Sequence, residues 1–515
     1  MARANLWSVY TRRKRNKSGT TSIHIVRKEG SRQVHVKAVG SAQSEEQLEL
    51  LQLLAQEQIA QLKQQSTLDL KFEEDKKYID LLRNSIDSVQ IAGVELILGK
   101  LFNEIGFNAI AEPLFRHLVL CRICYPGSKL RTVDYLQRHH NEVYDIDHVY
   151  RYLDKINIDY KDQLQTISYE HTAKLFEKKI SVVFYDVTTL YFEAEQEDEL
   201  RRLGFSKDGK HHNPQIVLGL LVSSNGYPLA FEMFEGNKFE GETMLTVVES
   251  FKKKFQLSDV VVVADAGLMS KQNIGQLIAL QYQFILGARL KNESEAIKKQ
   301  VLSLNLENGQ TYRIEKPDGL RIIVSYSLNR AANDLGNRSK GLKRLENALK
   351  KGKLTKQHIN NRGYNKYLTL TGDIQIQIDY QKFEDDKKWD GLKGYITNTD
   401  ITADEVIKNY QHLWHIEKAF RISKTDLRIR PIYHHLKRRI QSHLIIAFCS
   451  YKVYKELERQ LAMRNAAVSA TKAIEIMLSI FAVKTQLPQS RKQVNIILAR
   501  TEEQKNLLNC FDIPF

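Results

Sequence analysis

With 515 residues and a net charge of +16, the chain is long enough for several structural units, and its 77 Lys and Arg against 61 Asp and Glu favour polyanionic partners. A composition of 42% hydrophobic and 27% charged residues is globular and excludes an extended disordered chain. Four cysteines are too few for a disulfide framework, no run reaches the roughly 18 apolar residues of a membrane span, and no apolar signal segment opens the chain, so a soluble cytoplasmic protein is expected.

The first forty residues hold ten basic side chains, from Arg3 through Arg12, Arg13, Lys14 and Arg15 to Lys37, against the single acid Glu29. Such asymmetry exceeds what a solvated face needs and suits contact with phosphates. Alternation over Thr21–Val26 and Gln33–Val39 predicts two short strands, and the Leu- and Gln-rich stretch from Ser44 to about Gln65 predicts a helix. Residues 1–75 are therefore expected to be a basic DNA-binding module. Residues 76–178 are helical in pattern, with breaks at Pro113, Pro126 and Gly127, and are the second expected DNA-binding region. Cys121 and Cys124 lie in an apolar run without a second ligand pair, which favours buried helix residues over zinc ligands.

From Lys179 the pattern becomes β-branched and aromatic. Ile180–Phe192 predicts a buried strand with Asp186 in its middle, and apolar runs on either side of Asn225-Gly226 predict a hairpin. A helix from Glu242 to Phe255, a strand from Asp259 ending at Asp265, a helix from Lys271 to Leu280 and a strand from Gln283 complete the order βββαβαβ over 179–299. Polar alternation over 300–390, including Ile374–Tyr380, with a basic stretch from Arg338 to Lys356, predicts a β-rich insertion. The core resumes over 391–450 with a strand at Tyr395 and a long helix from about Ala403 to Lys424. Apolar helical segments are expected onward through a carboxy-terminal region at 451–515. The expected class is α/β.

Ligands collect at the carboxyl ends of strands in α/β sheets, where Asp265 is expected. A charge inside the apolar strand at Asp186 is costly unless paired or metal-bound. On adjacent strands these two carboxylates could face one divalent ion; singly, each reads as a strand-end cap or loop contact. Tyr410, Glu417 and Lys424 are spaced seven apart and would share a helix face, with Arg421 one turn beyond Glu417, at the spacing of an ordinary surface ion pair.

Tyr-Asp-Val-Thr-Thr at 185–189, Val-Ala-Asp-Ala-Gly at 263–267 and the spacing of Tyr410, Glu417 and Lys424 resemble bacterial insertion-sequence DDE transposases with a ribonuclease-H-like core and a Tyr-Arg-Glu-Lys signature. Glu235–Thr243, Trp389-Asp-Gly and Arg428–His435 add to the likeness. One position departs: the signature's Arg is Leu413, leaving its role to a neighbour such as Arg421. The resemblance implies catalytic, metal-holding Asp186, Asp265 and Glu417, with two Mg²⁺ ions for which Mn²⁺ would substitute. It implies cleavage and strand transfer of double-stranded DNA, at terminal inverted repeats and a target, by a homodimer. Tyr410 and Lys424 would grip phosphates beside the scissile bond. A structure-specific nuclease of the same fold or an inactive DNA-binding relic are the alternatives. No Gly-Lys-Ser/Thr phosphate loop occurs.

Overall fold

The computed structural model describes residues 8–515 apart from 157, 177–179, 195, 207, 208, 211, 258, 259, 269, 361, 362, 372–374, 488 and 489. Arg3, Lys179, Asp259 and Ile374 lie outside the described residues. The chain divides into two compact units, Met1–Val89 with Ala482–Ile496, and Gln90–Phe481 with Ile497–Phe515. Among the described residues no helix is long and apolar enough to cross a membrane.

The chain begins with strands β1 (Val9–Arg15), β2 (Thr21–Glu29) and β3 (Arg32–Ala42), helix α1 (Glu45–Ser85) and strand β4 (Ile86–Ile91). Both expected strands form, and the basic run itself is a third. Ser44 caps α1 by accepting the Gln47 amide, and the helix runs 41 residues, well past Gln65. In the first unit β1, β2 and β3 form an antiparallel sheet whose Ile23, Ile25 and Ala42 pack on Leu48 and Ala55 of α1.

The second unit opens with helices α2 (Lys100–Ile105), α3 (Pro113–Cys124), α4 (Lys129–His140), α5 (Ile146–Lys155) and α6 (Ile158–Leu175). Cys121 and Cys124 are buried on α3, as the apolar run predicts. Then follow β5 (Val182–Tyr191), β6 (Gln215–Ser223), β7 (Pro228–Glu235), α7 (Met244–Phe255), β8 (Val261–Ala264), α8 (Lys271–Ala279) and β9 (Gln283–Ala288), in the order read from the sequence. Gly226 takes the positive φ of +80° that the β6–β7 turn requires. β5, β6 and β7 are antiparallel neighbours, while β8 and β9 lie parallel on the other side of β5. That is the strand arrangement of a ribonuclease-H-like core.

Beyond it come α9 (Glu295–Ser303), β10 (Thr311–Glu315), β11 (Arg321–Tyr326), α10 (Leu328–Lys350), β12 (Leu368–Thr371), β13 (Gln375–Ile378), α11 (Tyr380–Asp385) and β14 (Leu392–Thr397). Residues 300–390, expected as β-rich, are therefore mixed. β10 and β11 join β14 to extend the main sheet to eight strands, ordered β10-β11-β14-β9-β8-β5-β6-β7. The basic stretch is mostly the 23-residue α10, capped by Ser327; it buries only Arg338, Gly341 and Leu345, too few apolar positions to print a helical stripe. A small separate core joins Leu345 to Tyr367, Leu368, Ile378 and Phe383.

The expected long helix over 403–424 is two helices, α12 (Ala403–Gln411) and α13 (Trp414–Thr425). After α14 (Lys437–Met463) and α15 (Ala470–Leu478), the chain forms strands β15 (Phe481–Gln486) and β16 (Gln493–Leu498) before α16 (Glu502–Cys510), where continuous helix was expected. Partners decide this: β15 lies between β16 and β4, a pairing no local pattern announces.

Candidate active site

The central strand positions the first acid. Val183, Tyr185 and Val187 of β5 face the core shared with α7 and α8, whereas Phe184 and Leu190 face the core shared with α12, α13 and α14. Side chains alternate along a strand, so Asp186 lies on the α12–α13 side. It is half-buried, and its Oδ1 accepts the Val187 amide at 2.8 Å.

Parallel pairing brings in the second. β5 and β8 are in register from Val182 opposite Val261 to Tyr185 opposite Ala264, so one further step sets Asp186 beside Asp265. Val263 belongs to the α12–α13 side and Ala264 to the other, which returns Asp265 to the same side as Asp186. Asp265 is exposed at the carboxyl end of β8, and its Oδ1 accepts a 2.9 Å hydrogen bond from the Tyr410 hydroxyl.

α12 starts with a capping box between Thr402 and Glu405 and ends by presenting Tyr410, which is 6% exposed. Burial, reinforced by the adjacent Asp265 carboxylate, pushes the Tyr410 phenol upward, so it stays a proton donor. A Cβ at Gly287 on β9 would stand 2.5 Å from the Tyr410 hydroxyl and 3.0 Å from the Ala266 backbone; glycine lets the tyrosine approach. The chain then turns at His412, whose Nδ1 lies 3.2 Å from the Ser224 carbonyl, and at buried Leu413.

α13 buries Ile416, Ala419, Phe420, Ile422 and Ser423 and packs on β5 and β6. Glu417 is exposed in its first turn, where aligned amide dipoles favour a carboxylate. Residues 412 and 413 separate Tyr410 from the helix that carries Glu417 and Lys424, and keep right-handed helical dihedrals. The Tyr410 hydroxyl is engaged by Asp265. Arg421 is exposed and Lys424 half-buried on α13, while Arg12, Arg13, Lys14 and Arg15 are exposed on β1 of the first unit.

Sequence reading passed over Lys393 on β14. Its ammonium lies 4.5 Å from the centre of the Tyr410 ring and 5.3 Å from that of Tyr395, within electrostatic reach of Asp265 and Glu417. Burial pulls its pKa below the ordinary lysine value and Arg330 adds to this, against the pull of the two carboxylates. The available signal was alternation, since Lys393 stands two residues before Tyr395 and shares its face. A cavity of about 710 Å³ adjoins Asp265, lined by Arg330, Arg338, Lys366 and Lys393 together with Trp389. Asp390 pairs with Arg338 and Asp386 with Lys366.

Asp186 and Asp265 thus stand on adjacent strands on the side of the sheet that α12 and α13 cover, and Glu417, from the first turn of α13, acts with Asp265 on the charge of Lys393. Their oxygens are the donors a hard divalent cation takes, and two of the acids are open to solvent. Among the described residues, no three acid, histidine or cysteine side chains are already drawn around a single ion position. The donor chemistry fits such an ion.

Residues 177–452 match the family model of the transposase DDE domain, more than half of the chain. The chain belongs to the DDE transposase family. The transposase is thus an enzyme of DNA cleavage and strand transfer, in a family that works with divalent metal ions. No curated protein matches it significantly. Among solved structures, a piggyBac transposase synaptic complex with hairpin DNA is similar at 9% identity and a TM-score of 0.38, over 75% of this chain and 76% of that one. A Mos1 transposase paired-end complex with the left transposon end is similar at 9% identity and a TM-score of 0.16, over 33% of this chain and 56% of that one. Neither likeness is close enough to carry an argument about this transposase.

Proposed function

We propose that this is an insertion-sequence transposase of the bacterial, Tyr-Arg-Glu-Lys kind, which cuts the ends of its element and joins them to target DNA with Asp186, Asp265 and Glu417 holding Mg²⁺. The observation that carries this reading is the register of β5 and β8, which sets Asp186 beside Asp265 on the face covered by α12 and α13. Mn²⁺ would replace Mg²⁺, both being hard ions that keep coordination sites for water and phosphate oxygen. Bound ions of this kind activate the attacking oxygen and stabilise the leaving one.

The chain's own residues prepare the site. Tyr410 orients Asp265 through the 2.9 Å hydrogen bond, leaving Oδ2 for an ion. Lys393, over the Tyr410 ring, balances the carboxylates and meets the incoming phosphate, serving where the signature's Arg is Leu413. Arg421 and Lys424, farther along α13, grip flanking phosphates. Arg12, Arg13, Lys14 and Arg15 hold the terminal inverted repeats of the element, and two protomers pair the ends.

Asp186→Asn, Asp265→Asn and Glu417→Gln keep the shape of each side chain and remove its charge. Each variant should lose cleavage of a duplex carrying the element's end by about a thousandfold or more while folding and binding DNA as before. Near-normal Mg²⁺-dependent cleavage by any of them would remove that residue from the site.

A further inference from the structure

The three-stranded sheet of the first unit has two unlike faces. Ile23 and Ile25 of β2 and Ala42 of β3 pack on α1. Pairing places Tyr10 opposite Val26 and Arg12 opposite His24, while His35 stands opposite Val26 from the other side. Paired residues share a face, so Tyr10, Arg12, His24 and His35 lie opposite the helix side, and Lys14, opposite Ser22, lies with them.

This face is polar and internally ordered. Gln33 accepts from Arg12 Nη1 at 3.1 Å and donates to the Tyr10 hydroxyl at 2.5 Å, while His24 Nδ1 and His35 Nε2 stand 2.9 Å apart. Arg12, Lys14, Gln33 and His35 are exposed, and Tyr10 and His24 are half-buried beside them. Glu29 is the only acid between residues 8 and 42, and it pairs with Arg27 at the β2–β3 turn.

We propose that this sheet face enters the major groove of duplex DNA and reads base edges, with Arg12, Gln33 and His35 as the reading side chains. Charge selects the partner, since a face with three kinds of cation-capable side chain and no carboxylate complements a phosphate-lined groove. Size selects the groove: neighbouring strands lie about 4.8 Å apart, so three strands span about 10 Å. That fits the major groove, about 12 Å wide, and not the minor groove, about 6 Å wide. Chemistry supplies the reading, because Arg pairs with guanine O6 and N7 and Gln with adenine N6 and N7, both major-groove edges. Crosslinking the amide of Gln33 to Arg12 and Tyr10 fixes these groups before DNA arrives.

Alternation also divides the basic run. Arg13 and Arg15 stand opposite Ile23 and Thr21, on the helix side of an edge strand, and are exposed there, so they meet phosphates at the groove wall. The proposal rests on the reading of this protein as a transposase that recognises specific ends.

The test uses full-length protein and a library of duplexes with a randomised core. Wild-type protein should select a consensus, and guanine N7 methylation within it should block binding. Gln33→Met and His35→Ala should each relax preference by about tenfold at one or two adjacent base pairs, with a smaller loss of affinity for random duplex at low salt. Arg13→Ala with Arg15→Ala should instead weaken binding to all sequences and flatten the salt dependence. Circular dichroism of each variant separates lost folding from lost reading, and Gln33→Met, uncharged and of similar length on an exposed face, keeps the test open if His35→Ala unfolds. An unchanged consensus in both reading variants, or binding blocked by a minor-groove drug and not by N7 methylation, would overturn the sheet proposal while leaving the transposase reading intact. If wild-type protein selected no consensus and cleaved no selected duplex, both would fall together.

Discussion

Two sheets of the transposase, the eight-stranded one and β1-β2-β3, carry charge in opposite ways. In the eight-stranded sheet, Asp186 sits on a central strand whose other residues are nearly all buried, and Asp265 ends the strand beside it. In the three-stranded sheet, Arg12, Arg13, Lys14 and Arg15 lie in the open on an edge strand. A carboxylate placed within an apolar strand costs free energy unless something compensates it, so its presence points to chemistry. Exposed cations cost almost nothing, so their presence points only to a partner. One sheet is built to hold charge in place, the other to offer it.

Substitutions can break that comparison. The acid variants should abolish cleavage and spare binding. Neutralising Arg12, Arg13, Lys14 and Arg15 together to alanine should do the reverse: affinity for the end duplex should fall about a hundredfold or more, and the slope of log affinity against log salt should drop by about two to three. Cleavage at saturating DNA should stay within a few-fold of normal. A titration of binding against salt, beside single-turnover cleavage, reads both arms.

Lys393→Met sharpens the catalytic half. Removing the ammonium from beside Asp265 and Glu417 should slow cleavage by about ten- to a hundredfold. It should also tighten Mn²⁺ binding to the DNA-free protein, followed by electron paramagnetic resonance, because the carboxylates lose a competing cation. A purely structural lysine would not move the two quantities in opposite directions. Gly287→Ala is expected to act through Tyr410: the new methyl meets its hydroxyl at 2.5 Å and the Ala266 backbone at 3.0 Å, for a cost of about 1–3 kcal/mol in urea unfolding.

The smallest effect lies away from both charged faces. Asp154 at the end of α5 receives hydrogen bonds from Arg439 at 2.7 and 2.8 Å and from Arg438 at 2.8 Å. Chiefly through Arg439, its pKa is lowered to about 2 from the ordinary aspartate value of 3.8. A depressed carboxyl pKa stabilises the folded chain above the unfolded value and loses that contribution as pH falls. Asp154→Asn should thus cost about 1 kcal/mol at pH 7. The difference from wild type should vanish between pH 4 and 2 in denaturation curves.

What the sequence disclosed follows the same division. Asp186 within Val-Phe-Tyr-Asp-Val was conspicuous because burial makes a charge costly, and the βββαβαβ order was legible because each strand is a continuous apolar run. The break between α12 and α13 was not legible. No Gly or Pro marks it; buried Leu413 and the contact of His412 with Ser224, distant in sequence, accompany it. α10 stayed hidden behind a polar sequence with few buried positions, and β15 behind a pairing with β4 nearly four hundred residues away. Lys393 was missed because a lone lysine in a strand is unremarkable until Tyr410 is placed beneath it.

The central claim is that Asp265 holds a catalytic metal ion, and metal rescue of Asp265→Cys tests it most directly. A thiolate is a poor ligand for Mg²⁺, a better one for the less hard Mn²⁺ and a good one for soft Cd²⁺. The variant should bind the end duplex normally, fail to cleave it in Mg²⁺, and regain cleavage when the softer ion is supplied. Cleavage in Mg²⁺ at a near-normal rate would contradict the account.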